Sequence, residues 1–127
     1  MELIEEKIEM APELLSDVQI DVEKQVIVHC HARYLPNMPW QLRVWPTIYL
    51  FPKESNHRCK LIQHFNIALY PQWLYINMVE HNFTLVFEGL PKGCMSFDIL
   101  EIIPESGAFE AFDIQRNSTD VYHVNFF

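Results

Sequence analysis

From Val18 to the C-terminus the apolar residues recur at every second position, in short runs rich in β-branched and aromatic side chains. A period of two puts alternate side chains on opposite faces of an extended chain, so each run reads as a strand with one buried face. The runs cover residues 18–22, 25–32, 41–50, 58–63, 65–70, 83–90, 96–103 and 121–126. Residues that favour turns separate several of them: Glu23-Lys24, Pro36 to Pro39, Pro52 to Asn56, Pro91 to Gly93 and Pro104 to Gly107. Seven or eight strands in 127 residues predict one all-β domain, an antiparallel two-sheet sandwich of immunoglobulin-like size. A small β-barrel is the other arrangement that fits. Cys30, Trp45 and Cys94 follow the antibody order of Cys, Trp, Cys, but Cys94 directly follows the turn at Pro91 to Gly93 instead of sitting in a strand.

The first 17 residues differ from the rest. Ile4, Ile8, Ala11 and Leu15 recur at helical spacing, with Pro12 inside the run, which predicts a short helix or irregular arm over 1–17 and the β-domain over 18–127. Six acidic residues against Lys7 give the arm a net charge of −5, out of −8 for the whole chain. This acidity argues against nucleic acid or an anionic membrane as partner, because both are bound through Lys and Arg. With only three glycines no phosphate-cradling loop can be written, and no cofactor is expected. The start has no basic-then-apolar leader, no stretch reaches the length of a membrane span, and the three cysteines are widely spaced; together these predict a cytoplasmic protein.

Candidate chemistry falls in three places. His29 and His31 share one face of a strand whose other face is Val26, Val28, Cys30 and Ala32, so the imidazoles point to solvent or a neighbouring strand. They could supply two metal ligands, with a third from His57, His64, His81 or Glu101, but no carboxylate or further histidine follows at cupin-like spacing. Cys59 sits among His57, Arg58 and Lys60, yet it shares parity with Leu61, which predicts a buried thiol. Asp120 and His123 are three apart in a strand and face opposite sides. No serine lies in a nucleophile elbow, and the sequence displays no assembled triad or carboxylate dyad, which favours a non-catalytic protein over an enzyme.

The third place is the run at 41–50. Alternation assigns Leu42, Val44, Ile48 and Leu50 to the core and Gln41, Arg43, Trp45, Thr47 and Tyr49 to the other face. Arg58 and Lys60 fall on a common face of the returning strand, and residues 41–64 carry four basic residues against Glu54, a local +3 in an acidic protein. Arginine beside large rings is the composition of a binding surface, so Arg43, Trp45, Tyr49, Arg58 and Lys60 form the expected site. Pro46 suits an edge strand open to strand addition, and a bulge there would turn Tyr49 inward. Trp73, Tyr70 or the acidic arm could instead cover the rings and make a second small core.

The pieces Arg43-x-Trp45, His57-Arg58-x-Lys60-Leu61, Pro71-x-Trp73, Phe87-x-Gly89-Leu90-Pro91-Lys92-x-Cys94, Phe97-Asp98 and Arg116-Asn117-x-Thr119-Asp120-Val121-Tyr122-His123 resemble an uncharacterised group of short bacterial all-β proteins. The likeness spans residues 41–123 and implies a stand-alone bacterial domain, with no activity attached. The expected function is a binding or interaction module for a protein or acidic ligand. The alternatives are a metal-dependent enzyme using the His29/His31 pair and a self-assembling structural subunit, a homo-oligomer built through an edge strand or the terminal Phe126-Phe127.

Overall fold

The computed structural model describes residues 24–36 and 39–126, so the acidic arm and the expected strand at 18–22 lie outside the described residues. The described chain is all-β. Its strands are β1 (Val26–Arg33), β2 (Trp40–Val44), β3 (Ile48–Pro52), β4 (Cys59–Phe65), β5 (Ala68–Leu69), β6 (Leu74–Ile76), β7 (Glu80–Phe87), β8 (Ser96–Glu101), β9 (Glu110–Gln115) and β10 (Val121–Phe126). Seven of them form one sheet in the order β10-β1-β7-β4-β3-β8-β9, and β5-β2-β6 form a second. The large sheet curls until it is nearly a closed barrel. Two pairings, β1 with β10 and β2 with β5, are parallel, which corrects the wholly antiparallel expectation.

The core follows the predicted parity. Val26, Val28, Cys30 and Ala32 of β1 are buried, as are Leu42, Val44, Ile48 and Leu50. Phe83, Leu85 and Phe87 of β7 join Phe97 and Ile99 of β8, and Tyr122 and Phe126 of β10, in one continuous cluster. Fully burying an aliphatic or phenyl side chain of this size contributes about 1.5–3 kcal/mol. Cys59 is buried with them, as its parity with Leu61 requires.

The run at 41–50 is two strands. Pro46 has no N–H to donate, and the chain turns there, with the Ile48 amide donating to the Trp45 carbonyl at 3.2 Å. β2 then belongs to the small sheet and β3 to the large one. Ile48 follows Val44 by four positions, an even step, so the inward face is kept across the turn. The expected strand at 65–70 shrinks to Ala68–Leu69, while β6 and β9 were not expected from the pattern.

The barrel's edges approach at the β9–β10 connection. The Phe109 and Phe126 rings pack at a tilt of 59°, with centroids 4.8 Å apart. Arg116 makes a two-pronged pair with Asp120, Nε to Oδ1 at 3.2 Å and Nη2 to Oδ2 at 3.1 Å. The Tyr122 hydroxyl donates to Asp120 Oδ1 at 2.8 Å and accepts from the Asn117 amide at 3.1 Å. Asn117 Oδ1 accepts from the Thr119 and Asp120 amides, closing an Asx turn that presents Asp120.

Candidate functional site

One end of the barrel opens into a cleft of about 520 Å³, bounded by β2, the end of β1 and the loop between β8 and β9. The chain has three tryptophans, and all three, Trp40, Trp45 and Trp73, line it. Tyr34 and Phe109 add further rings, Arg33 and Arg43 two cations, Glu101 and Glu105 two carboxylates. This mixture of aromatic wall and few polar groups is typical of ligand sites.

Arg43 is the centre of the arrangement. Its guanidinium carbon lies 3.8 Å from the Trp73 ring centroid, 4.6 Å from that of Tyr70 and 5.8 Å from that of Trp45. Tyr70 stacks in turn on Trp45 at 3.7 Å. Parity explains the convergence: Leu42 pairs with Leu74 across β2 and β6, and Arg43 pairs with Ala68 on β5, so Arg43 stands between the neighbours of both strands. The guanidinium donates to the Pro71 carbonyl at 3.2 Å and to Glu105 at 3.4 Å. Arg43 Nε and Trp45 Nε1 are buried with no hydrogen-bond partner among the described residues. Both N–H groups belong to residues that line the cleft, but neither atom is exposed to it.

Glu101 sets the position of the walls. It is 4% exposed at the inner end of β8, and its Oε2 accepts the Trp45 amide at 2.8 Å while its Oε1 accepts the Phe109 amide at 2.9 Å. Burial pushes its carboxyl above the ordinary 4.5, against the lowering effect of those two amides. Trp40 is fixed separately, through an indole N–H donated to the Met78 carbonyl at 2.7 Å and a ring stacked on Tyr34 at 5.4 Å.

The five residues expected to form one face are divided by the turn at Pro46. Arg43 and Trp45 reach the cleft, while Tyr49, Arg58 and Lys60 do not line it. They make a separate patch on the large sheet, where Tyr49 pairs with Lys60 and the Arg58 guanidinium lies 4.7 Å from Tyr49 and 5.2 Å from Phe51. The local +3 is largely compensated in space. Lys53 is held by Asp98 at 3.3 Å and Asp113 at 3.0 Å, and Arg43 faces Glu105. Tyr70 and Trp73 do cover the Arg43–Trp45 pair on one side, yet both remain about two-fifths exposed, at 40% and 42%.

His29 and His31 lie on the outer face of β1, as the alternation requires, and line a second pocket of about 380 Å³. None of His57, His64, His81 or Glu101 lines that pocket, and the imidazole that does is His123 of β10. Among the described residues no three His, Cys, Asp or Glu side chains converge on a metal-binding position. Cys30 faces the core below, and burial pushes its thiol up to about 12. Glu80 stands at the end of β1 against His31 at 3.8 Å and Arg33 at 3.9 Å, between the histidine face and the cleft.

Comparison of the chain with protein-family models, curated proteins and solved structures finds no match in any of the three. No helix among the described residues is long and apolar enough to cross a membrane.

Proposed function

We propose that this protein is a non-catalytic binding module that takes an acceptor-rich, acidic ligand in the cleft around Arg43. The observation that carries the reading is the convergence of Trp45, Tyr70 and Trp73 on the Arg43 guanidinium, in a cleft that Trp40 also lines. Guanidinium geometry suits a planar carboxylate, and the ring stack already restrains Arg43, so little side-chain freedom is lost on binding. Aromatic and arginine side chains are the groups that most often dominate binding energy. An acidic peptide with a neighbouring aromatic residue is the ligand that matches both parts of the cleft.

A displayed random-peptide selection against the whole protein tests this. Enrichment of Asp or Glu beside an aromatic residue is expected, with binding weakened at least tenfold in Arg43→Ala and in Trp73→Ala. Enrichment of basic or purely aliphatic peptides, or binding unchanged in both variants, would contradict it.

A further inference from the structure

The outer wall of the barrel carries a second polar site, away from the aromatic cleft. Three adjacent strands bring it together. His29 of β1 stands in register with Thr84 of β7 on one side and His123 of β10 on the other, and His31 with Asn82 and Asn125. These six side chains line the pocket of about 380 Å³.

The two β1 imidazoles are held alike. His29 Nδ1 lies 2.9 Å from Thr84 Oγ1, and His31 Nδ1 lies 2.6 Å from Asn82 Oδ1. A carbonyl oxygen only accepts, so His31 donates from Nδ1; a hydroxyl does either, and Thr84 Oγ1 accepts when His29 carries its proton on Nδ1. Each neutral ring then keeps its lone pair on Nε2. An oxygen acceptor at one ring nitrogen, leaving the other free, is the support that metal-binding histidines use. His31 Nε2 lies 3.8 Å from the Glu80 carboxylate, which sets it apart from His29. His29 has no such carboxylate among the described residues, and its ring lies beside that of His123, with centroids 5.1 Å apart and planes tilted by 33°. Two imidazoles at that separation can share one ion at the usual zinc–nitrogen distance of about 2.0–2.1 Å.

We propose that His29 and His123 chelate a divalent first-row transition-metal ion of the zinc type, with Thr84 positioning His29. The chain supplies two nitrogen ligands, and water or an external donor completes the shell. Neutral imidazole is a preferred ligand for these ions. Cys30 contributes nothing, since its side chain belongs to the core.

Calorimetric titration of the full, reduced chain with Zn²⁺ tests the site, with circular dichroism to verify the fold of each variant. One saturable equivalent is expected. His29→Ala and His123→Ala should each weaken it at least tenfold, and Thr84→Val by about 10- to 100-fold through loss of the orienting acceptor. His57→Ala and Cys94→Ser, which alter a histidine and a thiol outside the pocket, should bind as the unaltered chain does. Absence of saturable binding up to millimolar Zn²⁺ would overturn the proposal. So would wild-type affinity in the His29→Ala/His123→Ala double variant, which would show adventitious ligation elsewhere. Unchanged affinity in Thr84→Val would overturn the positioning role.

Discussion

Glu101 is the side chain on which the cleft's shape depends, because each of its oxygens holds the backbone of a different wall. Its pKa direction makes this testable. A carboxyl raised on folding binds its proton more tightly in the native state, so its contribution to stability is fully present below the ordinary 4.5 and is lost as pH rises through the raised value. The difference in unfolding free energy between the wild type and Glu101→Gln, measured across pH 3–8 as an order-of-magnitude window around the carboxylate range, should therefore shift against the wild type as pH rises from about 4. A flat difference would mean that Glu101 titrates as it does in the unfolded chain. At the alkaline end the groups are Cys30 and Cys59, pushed by burial from 9.0 to about 12, and Tyr122, pushed from 10.0 to about 12. Their ionisation disfavours the native state, so stability should fall between pH 9 and 12, and Tyr122→Phe should make the fall above pH 10 shallower while the two thiols still contribute to it. At this scale the sequence was readable wherever parity decides burial, as at Cys30, Cys59 and Leu42. It was not readable at Glu101, which occupies an inward position that alternation assigns to an apolar residue.

At the scale of elements, the closure of the barrel rests on the short connection from β9 to β10. Asp120 is only 5% exposed at its side chain, accepts two bonds from Arg116 and one from Tyr122, and its φ of 55° is one that Asp or Asn tolerates better than most residues. Asp120→Ala removes the two-pronged partner of a half-buried guanidinium and the acceptor of the Tyr122 hydroxyl, and should cost roughly 1–3 kcal/mol in urea unfolding. A loss below 1 kcal/mol would place the closure in the ring contact between Phe109 and Phe126 instead. Three elements explain where the sequence pattern misled. In the run at 41–50, Pro46 sits between two segments of equal parity, so alternation continues across a change of sheet. β9 has mostly exposed positions and a left-handed Asp113 opposite a register shift in β8, which removes the alternation that marks a strand. β6 has three residues, too few to display a period.

For the whole molecule, alternation tells which residues share a side of a strand and leaves open which strand lies alongside. That is why His29 and His31 could be read as a pair while His123 could not be joined to them: the parallel β1–β10 pairing links opposite ends of the described chain. The same limit applied to Arg43 and Trp45, whose face was legible but whose companions, Tyr70 and Trp73, arrive through β5 and β6. The local +3 of residues 41–64 was a property of the chain and not of the surface, because Asp98, Asp113 and Glu105 come from strands and loops further on. What the fold concentrates is aromatic area, with every tryptophan in one cleft. The indole N–H signals in a proton–nitrogen NMR spectrum therefore all report on that site, and titration with a panel of aromatic carboxylate fragments is the most direct test of the proposed function. Binding in the cleft shifts the Trp45 and Trp73 indole signals, and Arg43→Ala abolishes the shifts. Fragments that bind while leaving both indoles unmoved, shifting instead the amides around Tyr49, Arg58 and Lys60, would contradict the assignment of the binding site to the Arg43 cleft.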